Sequence, residues 1–164
     1  MVRWGLRHVR SSGLNLVTIL LVVAVVTVLV PTHAQASANG KKASVRGVTC
    51  RVYAQNPHAS YDSRSNRIIN SKLRFGECNG PVSSIRWKGQ LQKCFQRSYG
   101  CDWTALRQRS GTIYSSPSGL KTRYVSRSCG KSARYRLRGK ITIYKGGSSD
   151  SSSWDHSGVQ WVSC

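Results

Sequence analysis

The stretch Ala133-Arg134-Tyr135-Arg136-Leu137-Arg138-Gly139-Lys140-Ile141-Thr142-Ile143-Tyr144 alternates with a period of two. In an extended strand successive side chains point to opposite faces. Ala133, Tyr135, Leu137, Gly139, Ile141 and Ile143 therefore share one face, and Arg134, Arg136, Arg138 and Lys140 share the other. The segment reads as a half-buried β-strand, apolar inside and cationic outside.

Working outward, a second stretch repeats the pattern more briefly. Ile85, Trp87, Gly89 and Leu91 point one way, and Arg86, Lys88, Gln90 and Gln92 the other. The remaining runs rich in Val, Ile, Tyr and Thr predict strands over Val45–Tyr53, Arg67–Phe75, Ser84–Gln92, Trp103–Arg109, Gly111–Ser115, Leu120–Arg127, Arg134–Tyr144 and Val159–Cys164. Turn residues separate them at Asn56-Pro57, Asn79-Gly80-Pro81, Tyr99-Gly100, Ser116-Pro117-Ser118-Gly119, Cys129-Gly130 and Gly146-Gly147. No helical period appears after Val45. Seven or eight short strands in so short a chain imply an all-β fold, an antiparallel sandwich with a small closed barrel as the alternative. Arg86-Trp87-Lys88-Gly89-Gln90-Leu91 also echoes Arg136-Leu137-Arg138-Gly139-Lys140-Ile141, as two strands in similar sandwich environments would.

Cysteines Cys50, Cys78, Cys94, Cys101, Cys129 and Cys164 make an even set. The spacings C-x₂-C and H-x₃-H are missing, so three disulfides are expected and no metal or other cofactor. If consecutive strands form antiparallel hairpins, the start of one lies beside the end of the next. That predicts Cys50–Cys78 and Cys129–Cys164, with Cys94–Cys101 closing the turn Phe95–Gly100. Each bridge stabilises by about 2–4 kcal/mol through constraint of the unfolded chain.

The amino terminus reads as a secretory signal. Arg3, Arg7 and Arg10 precede an apolar run from Leu14 to Val30 interrupted only by Asn15, Thr18 and Thr27. Pro31 ends it, and Ala34-Gln35-Ala36-Ser37-Ala38 offers cleavage after Ala36 or Ala38. An uncleaved anchor is the alternative. The chain then divides into a signal peptide at 1–36, a disordered leader at 37–44 and the β-domain at 45–164, exported to an oxidising compartment. Cleavage after Ala36 removes three of the 26 basic residues and none of the five acids, so the net charge falls from +21 to +18. A field of that size draws polyanions.

Larger motifs carry a resemblance. The order Leu91-Gln92, Gly100-Cys101-Asp102-Trp103, Ser128-Cys129-Gly130, Tyr135-Arg136-Leu137-Arg138-Gly139 and a final cysteine resembles small exported proteins of actinobacteria such as streptomycetes. The resemblance implies an immunoglobulin-like sandwich and carries no activity with it. Trp87, nine positions after Cys78, falls where such sandwiches bury a Trp. In that arrangement the two cationic strands are neighbours. Arg86, Lys88, Arg134, Arg136, Arg138 and Lys140 would then stand on one exposed face, against a merely solvated basic surface as the alternative. Lys72, Arg74, Lys121, Arg123 and Arg127 carry charge elsewhere.

Between the last two predicted strands, Gly146–Gly158 is a Gly/Ser-rich loop in which Trp154, Asp155 and His156 could meet a partner. The expected function is a secreted, non-catalytic, monomeric domain that binds an anionic polymer: cell-wall polymer, acidic polysaccharide or extracellular nucleic acid. An inhibitor or interaction module acting on an exported protein through the Trp154 loop is the alternative. Enzymatic signatures such as G-x-S-x-G and H-E-x-x-H are missing. A small nuclease would have to draw its base and acid from Glu77, His58 and His156.

Overall fold

The computed structural model describes residues 39–115, 117 and 119–164; the expected signal peptide lies outside them. Among these residues eleven strands run in chain order: β1 Lys41–Val45, β2 Val48–Ala54, β3 His58–Tyr61, β4 Arg67–Gly76, β5 Ser84–Arg97, β6 Gly100–Tyr114, β7 Lys121–Ser128, β8 Ala133–Lys145, β9 Ser148–Ser151, β10 Asp155–His156 and β11 Gln160–Val162. They form two antiparallel sheets. In the first, β4 is central: β7 lies on one side of it, β2 and β3 follow one another along the other, and β1 flanks β2. In the second, β5 lies between β6 and β8, and β9, β10 and β11 occupy successive stretches of the far edge of β8.

Strand periodicity explains the core. Val52, Leu73, Phe75 and Val125 from the first sheet are buried with Ile85, Trp87, Leu91, Leu137, Ile141 and Ile143 from the second. Each such side chain contributes about 1.5–3 kcal/mol on burial. Trp87 stacks on Phe75 with ring centroids 6.1 Å apart. The echoed glycines meet directly, Gly89 opposite Gly139. Both sit beneath the first sheet: a Cβ on Gly139 would come within 2.0 Å of Leu73 Cδ1, and one on Gly89 within 2.9 Å of Val125 Cγ2. Gly139→Ala should therefore destabilise by about 1–3 kcal/mol through overpacking. The same substitution made on a Leu73→Ala background should cost nothing, since the methyl then enters the vacated space. Denaturant titration of the four proteins checks this, and additive effects would contradict it.

Several expectations are corrected. The leader is ordered from Lys41 onward: β1 pairs with β2 and buries Ala43. The expected strand Val45–Tyr53 is broken by a two-residue turn at Arg46 and Gly47, with φ of 46° and 75°, the left-handed pair that closes tight hairpins. The expected strands Trp103–Arg109 and Gly111–Ser115 fall in one strand, β6, which ends at Tyr114. Gly111 does not break it, and its bare Cα instead accommodates the Trp87 indole. All three expected disulfides are present, 50–78, 94–101 and 129–164. Such bridges fit an oxidising environment. Among the described residues no helix is long and apolar enough to cross a membrane.

Candidate polyanion-binding face

The cationic positions meet because β5 and β8 pair in register over their whole alternating stretch. Lys88 lies opposite Lys140, Gln90 opposite Arg138, Gln92 opposite Arg136, and Arg86 opposite Thr142. With the apolar partners turned into the core, Arg86, Lys88, Arg134, Arg136, Arg138 and Lys140 all stand on the outer face of the second sheet.

These arginines are held by neutral groups. Arg138 Nε donates to Gln90 Oε1 at 2.6 Å, Arg136 Nε to Gln92 Oε1 at 2.8 Å, and Arg134 Nη1 to Gln96 Oε1 at 3.4 Å. Gln90 Nε2 in turn donates to Gln108 Oε1 of β6 at 2.6 Å. Aromatic faces complete the setting. The Arg136 guanidinium lies 4.2 Å from the Trp103 ring centre, and that of Arg138 4.4 Å from Trp154. Lys140 and Lys88 approach the same Trp154 ring at 5.2 and 5.9 Å, and Arg86 approaches Tyr144 at 5.7 Å. Trp161, 65% exposed, stands opposite Arg134. Burial, then the neighbouring Arg138, lowers the Arg136 pKa from its usual value; a guanidinium nevertheless stays charged at neutral pH.

Carboxylates do not compensate this charge, because all five acids have partners elsewhere. Asp62 accepts from Arg64 N and from the backbone and side chain of Asn66. Glu77 accepts from Tyr53 Oη, Asp102 meets Arg97 at 3.9 Å, and Asp150 Oδ2 accepts from Ser44 N at 2.6 Å. Asp155, expected on an exposed partner loop, is instead 2% exposed, its Oδ2 taking the Ala54 N–H at 2.7 Å. It joins β10 to β2 of the opposite sheet and gives the Ala54 N–H a charged acceptor in the interior.

The loop holding Trp154 is shaped by two serines. β9, β10 and β11 run along β8, and where the chain leaves the edge its side chains stand in for the ladder. Ser152 Oγ accepts from Ile141 N at 3.1 Å and Ser157 Oγ from Leu137 N at 2.8 Å. The excursion between them is anchored at both ends, and half-buried Trp154 rests on the cations. His156 stands opposite Arg138. Burial first, then Arg136 and Arg138, holds its pKa below the ordinary 6.5.

A hollow of about 300 Å³ opens beside these groups, lined by Arg86, Trp87, Lys88, Gln108, Ser110, Lys140 and Thr142. Three cations and several hydroxyl and amide groups converge there, a set suited to a phosphate, sulfate or carboxylate on a hydroxyl-rich chain. The sequence showed the cations and placed Gln90 and Gln92 on their face, but it did not connect the glutamines with the arginines. Trp103, Gln108, Ser110 and Thr142 join only through the register of β6 and β8 on β5. Glu77, His58 and His156 are not brought into one cluster. Glu77 follows β4 and His58 lies in β3 of the first sheet, while His156 is in the second. Among the described residues no group of three His, Cys, Asp or Glu could hold a metal ion.

No protein-family model, curated protein or solved structure matches this chain.

Proposed function

We propose that the protein is an exported, non-catalytic domain that binds an anionic polymer on the outer face of its second sheet. The observation that carries this reading is the arginine–glutamine ladder: Arg134, Arg136 and Arg138 are each oriented by an amide oxygen. A face kept for stability alone gains by pairing its cations with carboxylates, and like charges opposite one another, such as Lys88 and Lys140, cost stability. Neutral acceptors fix the guanidinium directions and leave the charge for a ligand. Fixing the side chains in advance also lowers the entropy lost on binding. The ligand class is the one shared by cell-wall phosphate polymers, acidic polysaccharides and extracellular nucleic acid.

The test is retention of the oxidised domain on immobilised cell-wall polymer, heparin and single-stranded nucleic acid across a salt series. Log affinity should fall linearly with log salt, each phosphate engaged adding about −0.7 to the slope on single strands. The preferred matrix identifies the ligand class. Weak retention on all three at low salt would refute the proposal.

His156 adds a pH signature. Its pKa is depressed in the folded protein, so the unfolded chain binds the proton more readily. Stability associated with neutral His156 is thus complete above about pH 6.5 and declines as pH falls through the depressed value. A polyanion that neutralises Arg136 and Arg138 removes part of that depression. Binding then takes up a proton and strengthens as pH falls below the ordinary histidine value, while the free protein loses stability. Both slopes should flatten in His156→Gln, measured by retention and by thermal unfolding.

A further inference from the structure

Away from the cationic face, the two sheets end in strands that do not close on each other. Among the described residues β6 pairs only with β5, and β7 only with β4. Among the described residues no backbone hydrogen bond joins β6 to β7. Two arginines bridge the seam reciprocally instead: Arg127 of β7 donates to the Leu106 carbonyl of β6 at 2.8 Å, and Arg109 of β6 donates to the Tyr124 carbonyl of β7 at 3.1 Å. Each guanidinium occupies a position where a neighbouring strand would present an N–H.

The seam is hollow on either side of Arg127. One cavity of about 640 Å³ is lined by Ile68, Leu106, Arg107 and Ser126 among others, with Asp62 at its wall. Another of about 330 Å³ is lined by Ile69, Lys93, Phe95, Lys131 and Tyr135, and Leu106, Arg127 and Ser128 belong to both. The register of β6 slips at this point: Leu91 pairs with Arg107 and Gln92 with Ala105, leaving Leu106 as an unpaired bulge residue. Bulges re-aim side chains and interrupt pairing at sheet edges.

We propose that this seam receives an extended, acidic polypeptide segment by strand addition. Open edges supply carbonyls for the incoming N–H groups, and the two cavities take alternate side chains. The carboxylates of the segment replace the carbonyls as acceptors for Arg127 and Arg109, so those hydrogen bonds are exchanged and not forfeited. Charge selects the occupant: Lys93, Arg107, Arg109, Arg127 and Lys131 surround the seam, against Asp62 alone. A second copy of this chain, at net charge +21, meets that rim with like charge. Strand addition gives the Leu106 and Tyr124 carbonyls N–H partners once their arginines turn away, which an anionic polymer without backbone N–H groups cannot do.

A synthetic peptide alternating glutamate and valine is the probe, titrated into the oxidised protein at low salt with amide exchange as the readout. Binding should slow exchange within Gly100–Tyr114 and Lys121–Ser128. Affinity should drop about tenfold, the effect of removing one charge-assisted hydrogen bond, in Arg127→Gln and separately in exposed Arg107→Glu. It should fall no further in the Arg136→Glu/Arg138→Glu protein than in the Lys72→Glu/Arg74→Glu protein, which changes the net charge equally. Equal binding of a peptide in which proline replaces valine would overturn strand addition, as would no binding or a loss that follows the outer-face variant. Because the outer-face proposal is read on polymer matrices, the failure of either proposal is separable from that of the other.

Discussion

Reversing Arg136 and Arg138 together to glutamate should lower polymer affinity about a hundredfold at low salt, since a hydrogen bond to a charged group is worth about 1.5–3 kcal/mol. The control is the same double reversal at Lys72 and Arg74. Those side chains flank Leu73, which points into the core, so they stand on the outer face of the opposite sheet. Both variants change the net charge by the same amount, and any long-range attraction weakens equally in each. The difference between them therefore isolates binding at the arginine–glutamine ladder. Equal losses, read by retention at fixed salt, would mean that affinity follows total charge and that no defined face exists. A second readout separates function from structure. Lys140→Glu replaces a like-charge pair with Lys88 by an opposite-charge one, which should raise stability by about 0.2–1 kcal/mol while weakening retention. A gain in stability with a loss of binding is the signature of charges kept for a ligand.

How far the sequence disclosed this arrangement depends on which physical signal each element carries. β5 and β8 were legible because one face of each is buried, so their apolar residues had to alternate. The disulfides were legible because antiparallel neighbours bring the start of one strand to the end of the next. The Arg46-Gly47 turn was not, since an arginine at positive φ has no compositional mark; the alternation slips by one position across the turn, with Val45 and Val48 both buried. Strands β9 and β10 were hidden in a Gly/Ser-rich segment. What pairs them is the unfilled edge of β8, with Ser152 and Ser157 hydroxyls completing the ladder, and neither leaves a periodic trace. Asp155 misled for a related reason. A lone carboxylate in a polar loop looks solvent-facing, yet this one turns inward to take the Ala54 N–H of the opposite sheet. Periodicity put the cations of each strand on one face, and the resemblance to immunoglobulin-like sandwiches was what set the two strands side by side. The glutamine and tryptophan partners of those cations required the cross-strand register, which tertiary packing decides.

Replacing Cys129 and Cys164 together with serine should cost about 3–4 kcal/mol of stability, the entropy of opening a loop of 35 residues. The same replacement at Cys94 and Cys101, only 7 apart, should cost about 2 kcal/mol. The first bridge also does more than limit the unfolded chain. It holds the end of a segment that meets β8 through the short strands β9, β10 and β11 and the Ser152 and Ser157 hydroxyls, with Cys164 N donating to Ser132 Oγ at 2.9 Å beside it. Without the covalent tie, β11 pairs by three residues alone, too few to resist fraying. Amide exchange should accelerate first at Gln160–Val162 and then at Asp155–His156. Trp154 and His156 belong to the same segment, so the packing of Trp154 on Arg138 and Lys140 should loosen and polymer retention should fall in parallel. If denaturant titration gives equal costs for the two bridges, or if retention is unaffected by opening the longer one, then the edge strands hold Trp154 in place by pairing alone. The ladder of arginines and glutamines between β5 and β8 would then be the whole of the binding face.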